Sequence, residues 1–393
     1  MKTSTLAVLA ALAGLAVAGV VLVEGRSRRD TAETALVGAR FVPELHRRIN
    51  DVALVHVNRA GEPLTIRRSG DQWVIVEKGD YPAQFEKVRA TLVGLAELRA
   101  AEPMTAKKEN YERLGVQDTP ASPQESQSSP GTPTVLTIKD AKDQAIASVI
   151  VGNSKWGAKP GVYVRRSGES QSWLAHGQLD IPVGITGWAD SKILDLMRDR
   201  VKQVSVHHAD GEVVSITRAD PTQSSFTVEN VAEGKELKSP AAGDALGAAL
   251  AYVTFEDVAA EGVIDFTRPA VTVEFRTFDG VVITLNTVEK DGKTWAKFAA
   301  AFDAAAERPA NVGTAQLLSA EEARGQAEEL DAKFSRWAFQ IPQWKAVTLR
   351  TRMAELYKDT PPAMPASMQG VELMDPGQLV TPPPQPPAAD PQG

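Results

Sequence analysis

The chain has 393 residues, 43% hydrophobic and 24% charged, ordinary values for a globular protein. With both ends set aside, it is long enough for two domains of about 150 residues each. A net charge of -7, with no basic stripe interleaved with aromatics, excludes a general nucleic-acid-binding role. The absence of cysteine excludes disulfides, thiolate metal sites, cysteine nucleophiles and a lipoprotein anchor, but leaves the compartment open.

The first element is an apolar run over residues 5–23 without a charge. As a helix it spans about 28 Å, close to the hydrocarbon thickness of a bilayer. It is read as an uncleaved transmembrane anchor. The competing reading is a signal peptide that starts at Lys2 and is cut after the small pair Ala16 and Ala18. Orientation carries a conflict. Arg26, Arg28 and Arg29 follow the run, which by the positive-inside rule places the body in the cytoplasm. A short basic start leading straight into a long apolar run is how secretion signals begin. The expected location is therefore the inner membrane, single-pass, with the body facing the periplasm.

Residues 1–30 are read as anchor and basic flank, and 31–50 as a juxtamembrane connector. A meander follows: Val52, Val55 and Val57, then Leu64 and Ile66, a turn at Ser69-Gly70-Asp71, then Trp73 and Ile75. Pro82 opens a helix with Phe85, Val88, Leu92 and Leu95 on one face. A second meander begins at Val201, Val204 and Val206, breaks at Asp210-Gly211 and resumes through Val214, Ile216, Phe226 and Val228. Pro240 is expected to open a second helix bearing Leu246, Leu250 and Val253.

The two passages match piece by piece. Val52 to Val57 lie over Val201 to Val206 at an offset of 149, and Trp73 over Phe226 at 153. Pro82, Val88, Leu92 and Leu95 lie over Pro240, Leu246, Leu250 and Val253 at 158. Gly115-Val116-Gln117-Asp118 lies over Gly262-Val263-Ile264-Asp265 at 147, and Leu136, Ile138 and Ile146 over Val273, Phe275 and Ile283 at 137. The offset drops across a Ser/Pro/Gln-rich insert at 119–132, read as a flexible loop. Drift confined to loops is what duplication produces. The expectation is an α+β protein: two tandem copies of an antiparallel-sheet-plus-helix unit, 51–200 and 201–357, behind an N-terminal transmembrane helix. A proline-rich tail at 358–393, read as disordered or polyproline-like, ends it.

The chain resembles domain-of-unknown-function family 4340, bacterial proteins often carrying one or two copies behind a membrane helix. The resemblance rests on the pattern from Val52, Val55 and Val57 through Trp73-Val74-Ile75, and on the helix at 82–99. It rests also on Tyr111-x-x-Leu114-Gly115-Val116-x-Asp118 and on Ile150-Val151-Gly152-Asn153 leading to Gly161-Val162-Tyr163-Val164. The second half keeps the Gly-Val-x-Asp core at Gly262 but loses the tyrosine and the Val-Gly-Asn turn. The family has no established activity, so the resemblance carries over no functional residue. It implies an envelope role, as an auxiliary of ABC-type transport systems, including those related to gliding motility.

Candidate chemistry is sparse. The stretch 152–157 lacks a Gly-Lys-Ser/Thr ending, and Pro160 follows where a phosphate-binding helix would start, so it reads as a turn. His207 and His208 point to opposite faces of a strand and are not expected to share a metal; His56 and His176 are read as structural. The pairs Glu256-Asp257, Glu321-Glu322 and Glu328-Glu329 are read as solvated faces. Trp73, Trp188 and Trp337 are expected in the core. Trp156, in a Gly-rich loop, and Trp173, on an exposed-looking strand, are the candidate interaction surface. No catalytic residue, metal or cofactor is expected. The expected function is a non-enzymatic accessory or scaffold subunit of an envelope complex, its protein partners including an ABC permease. The alternative is a periplasmic binding module for glycan or peptidoglycan.

Overall fold

The computed structural model describes residues 36–118, 132–157, 159–310, 312–313 and 315–358. The expected membrane run 5–23, the insert from 119 to 131 and the tail from 359 onward lie outside them. Among the described residues no helix is long and apolar enough to cross a membrane. The fold is mostly antiparallel sheet with a few helices, of the α+β kind.

The first sheet holds β1 (Val52–Arg59), β2 (Glu62–Ser69), β3 (Gln72–Ile75), β4 (Tyr81–Ala83), β5 (Arg99–Pro103), β6 (Thr134–Asp140), β7 (Ala145–Lys155), β8 (Gly161–Arg166) and β9 (Ser172–His176). Its spatial order is β4-β3-β2-β1-β6-β7-β8-β9-β5. After β10 (Lys192–Leu194), the second sheet holds β11 (Val201–His208), β12 (Val213–Thr217), β13 (Thr227–Val228), β15 (Asp257–Ala260), β16 (Val271–Thr277), β17 (Val281–Lys290), β18 (Lys293–Phe302) and β19 (Trp337–Gln340). Its order is β13-β12-β11-β16-β17-β18-β19-β15. β10 pairs with β14 (Val253–Thr254) in a separate two-stranded sheet, so the chain just before residue 200 is already bound to a segment beyond residue 250. The helices are α1 (Pro43–Arg47), α2 (Phe85–Glu97), α3 (Tyr111–Leu114), α4 (Gly184–Trp188), α5 (Asp244–Gly247), α6 (Ala320–Phe334), α7 (Gln343–Leu349) and α8 (Met353–Leu356).

Strand alternation sets the buried face. β6 and β16 both bury every second residue. Val55 pairs with Ile66 and Ile138, and Val204 with Ile216 and Phe275. Each central strand is bulged near its start, between Val52 and Leu54 in one sheet and between Val201 and Gln203 in the other. β6 and β7 slip by one residue between Ile138 and Lys139, so Ala147, not Ile146, stands opposite Ile138 as Ile283 stands opposite Phe275.

Three other expectations change. The helix expected after Pro240 is only the four-residue α5, although Leu246, Leu250 and Val253 are buried as expected. Gly243 and Gly247 weaken it as a helix, and the Phe226 ring occupies the space beside Gly247, where a Cβ would lie 2.1 Å from it. The exposed residue of the second Gly-Val-x-Asp segment is Val263, and Ile264 takes the buried place that Val116 has in the first. The 15-residue α6 was not expected. Its N-terminus carries a capping box between Ser319 and Glu322, and its buried stripe is only Ala323, Ala327 and Phe334.

One contiguous core runs through both sheets. Where they meet, the Tyr81 ring of β4 stands edge-on to Phe255, Trp337 and Phe339, with centroids 5.4, 4.9 and 6.4 Å away. Gly79, at a φ of +67°, lets this turn press on the edge strand β15. A Cβ there would lie 2.6 Å from that of Ala260.

Candidate inter-sheet cleft

The junction leaves a cleft of about 860 Å³. One wall is the β1–β2 hairpin, where Ala60 and Gly61 both take positive φ to make the tight turn that carries Arg59 and Glu62. The other wall is Glu256, Asp257, Lys293 and Gln340 of the second sheet, and the segment 182–188 closes one side. That segment is placed by α2. Thr91 Oγ1 donates to Asp180 O at 2.9 Å, Gly94 admits the backbone of Gln178, and Gln84 N–H donates to Trp188 O at 2.7 Å.

Ionisable groups here are partly committed to one another. Lys78 spans the junction to Asp257 at 2.6 Å, and the Gln340 amide donates from Nε2 to Glu256 at 2.7 Å. A smaller cavity of about 410 Å³ shares Lys78, Asp257 and Lys293, so this ion pair stands between two hollows. Glu256 and Asp257, read from sequence as solvated faces, are thus walls of the cleft. Two buried polar atoms on the lining have no partner: the indole N–H of Trp188 and Oε1 of Gln340. Because Glu256 fixes the amide's orientation, the unmatched atom of Gln340 is an acceptor.

The other singled-out residues do not gather there. Trp173 is 1% exposed, in β9 between β8 and β5, so it offers no surface; its strand is flanked on both sides rather than open. Trp156 is 86% exposed and does not line the cleft. His207 is exposed and His208 buried, on opposite faces, with His208 Nε2 3.2 Å from Thr351 O. His56 meets Thr65 and His176 meets Pro160 O. Among the described residues no three His, Asp or Glu side chains are grouped to hold a metal. Glu322 closes the helix cap.

The buried ion pair is structural. Arg200 and Asp279 bond at 2.8 Å, with Thr277 Oγ1 and the Leu318 amide also donating to Asp279. Burial pushes the Asp279 carboxyl up, but these bonds and the Arg200 charge more than offset it and leave it below the usual carboxylate range.

The Tyr111-to-Asp118 segment is also a packing device. Arg165 stacks 4.4 Å from the Tyr111 ring, donates to Val116 O at 2.9 Å and pairs with Asp118 at 2.6 Å. Gly152 lies where a Cβ would be 2.2 Å from Leu114 O, and Asn153 donates to Arg113 O. Both family-like motifs therefore meet at one place, the contact of α3 with β7 and β8. The family model described as "Domain of unknown function (DUF4340)" matches residues 73–270, half of the chain. The chain belongs to the DUF4340 family. The matched stretch runs from β3 past this motif and the cleft residues Glu256 and Asp257 to the approach of β16, and leaves out the β1–β2 hairpin. No curated protein and no solved structure matches the chain.

Proposed function

We propose that this DUF4340 protein is a non-enzymatic envelope protein, anchored by residues 5–23 with its body in the periplasm. In this reading it serves as an accessory or scaffold subunit of an ABC-type transport or gliding-motility-like complex. The body is two tandem copies of one unit. The identical strand order through the shared positions, the matching bulges at Val52 and Val201, and the equivalent pairings of Val55 and Val204 support the duplication. The observation that carries the functional reading is the cleft, which neither unit makes alone and whose lining is shared by residues of both. Its carboxylates Glu256 and Asp257 are held by Gln340 and Lys78, an arrangement suited to shape and recognition rather than proton transfer.

The test is purification in mild detergent. An ABC permease or ATPase that co-purifies with the native chain, and is lost from Glu62→Lys and Lys293→Glu variants of the exposed cleft lining, supports the scaffold. Retention by isolated cell wall with no such partner replaces it with a glycan-binding module, a reading favoured by the exposed Trp156. A carboxy-terminal alkaline phosphatase fusion is expected to be active and a fluorescent-protein fusion dark; the reverse puts the body in the cytoplasm.

A further inference from the structure

Four large exposed apolar residues, Met197, Tyr252, Trp344 and Val347, are carried by segments that meet at one turn, residues 249–252. The buried ammonium of Lys345 fastens them. It donates to Ala249 O and Ala251 O, each at 2.7 Å, and lies 4.8 Å from the centroid of the Trp344 ring. Ala251 O belongs to the peptide that precedes Tyr252, so the ammonium under the Trp344 ring is bonded to the backbone that carries Tyr252. Leu196 N–H donates to Leu250 O, which brings Met197 to the turn, and Val347 lies one helical turn from Trp344 on α7.

Tyr252 is held there against its backbone preference. Its φ is +47°, a region that side chains other than Gly and Asn seldom adopt, and its N–H is anchored to Asp195 Oδ1 at 2.9 Å. Strain of this kind persists where the fold over-determines it, and it marks positions with a use. Here the product is a tyrosine 65% exposed on the turn that Lys345 binds; the residue before Lys345 is a tryptophan 64% exposed whose ring lies over the same ammonium. Two aromatic ridges, each with a polar hydrogen-bond donor, are the surface on which polyproline segments dock. Such segments expose carbonyls, carry few N–H groups and place residues i and i+3 on one face.

We infer that this aromatic patch is the docking site of the chain's own proline-rich tail, residues 359–393. The tail holds ten prolines, including the run Pro382-Pro383-Pro384-Gln385-Pro386-Pro387, in which Pro383 and Pro386, and Pro384 and Pro387, have the i, i+3 spacing. It carries Asp359, Glu372, Asp375 and Asp390 and no basic residue, so it brings no cation to compete with Lys345 at the Trp344 ring. It also leaves from the right place. Lys358 is nine residues past the end of α7 and is tied to the same unit, its N–H donating to Glu236 O at 2.9 Å. At about 3.1 Å per residue, a polyproline segment of the tail's length would reach roughly 110 Å. Tethering raises its effective concentration to the millimolar range, enough for a weak contact to be occupied.

The chain has no cysteine, so one placed at Ala389 carries a nitroxide label at a single site in the full-length protein in detergent. The expected spectrum has a slow-motion component that persists on dilution. Trp344→Ala with Tyr252→Asn, the latter suited to the positive φ, is expected to convert it to fast motion with the thermal midpoint of the body unchanged. Replacing Pro383, Pro384, Pro386 and Pro387 with glycine is expected to do the same without touching the patch. A fast spectrum in the native chain overturns the proposal, as does a slow component that survives both sets of changes or vanishes on dilution. If Trp344 instead binds the body to anionic phospholipid vesicles while the label stays mobile, the patch is a membrane-surface contact and the proposal also fails.

Discussion

At Gly152 a Cβ would lie 2.2 Å from Leu114 O and within 3 Å of the Gly115 carbonyl, both backbone atoms. Neither can yield cheaply, so Gly152→Ala is expected to lower stability by about 1–3 kcal/mol. An unchanged urea midpoint would show that α3 does not press on β7 as described. Arg165 works at the same contact, its guanidinium shared among Val116 O, Glu169 O and Asp118. A glycine, a tyrosine and an aspartate that carry the family resemblance in sequence are here a joint between elements. The reactive-looking pair Glu256-Asp257 shows the opposite case. Sequence gives no sign that a glutamine from β19 and a lysine from between β3 and β4 come to meet them. Only folding brings residues 84 and 179 positions apart into contact.

Among the elements, the strands were legible because period-two alternation is a local signal, and Val55, Ile66, Val204 and Ile216 all lie where it puts them. Helix α2 was legible for the same kind of reason, since Val88, Leu92 and Leu95 lie on its buried face. Pro82, however, falls in β4 rather than opening the helix, and Phe85, the first helical residue, is exposed. Helix α6 was not, because alanine at 323 and 327 gives little hydrophobic contrast; its one readable sign was Ser319 three residues before Glu322. The α5 region failed in the other direction. Its apolar spacing is helical, yet burial of Leu250 is achieved by a chain of turns with Phe226 packed on Gly247. Leu92 and Leu250 are both buried, so alanine at either is expected to cost about 2–5 kcal/mol by denaturant unfolding. A loss below 1 kcal/mol at Leu250 alone would mean that this turn is not part of the core.

For the whole molecule, the two sheets are joined by Tyr81, and burial pushes its hydroxyl up to about 12, with Asp190 adding to the shift. A raised acid stabilises the fold fully below its unfolded value near 10, and that stability is lost as pH rises through 12. The loss is on the order of 2–3 kcal/mol over those two pH units. Tyr81→Phe keeps the ring and removes the proton, so its alkaline decline is expected to be shallower than that of the native chain in urea midpoints from pH 8 to 12. Parallel curves would deny Tyr81 this place in the junction.

The cleft that this junction creates is the centre of the functional reading, and a photoreactive residue at Lys293 interrogates it in the native membrane. Lys293 is an exposed residue on the cleft wall, and Gln72, exposed on β3 and outside the lining, serves as the control. The account predicts a discrete adduct from position 293 with a subunit of an ABC-type membrane complex and none from position 72. Equal adducts from both positions, or attachment from 293 to cell-wall material alone, would contradict it.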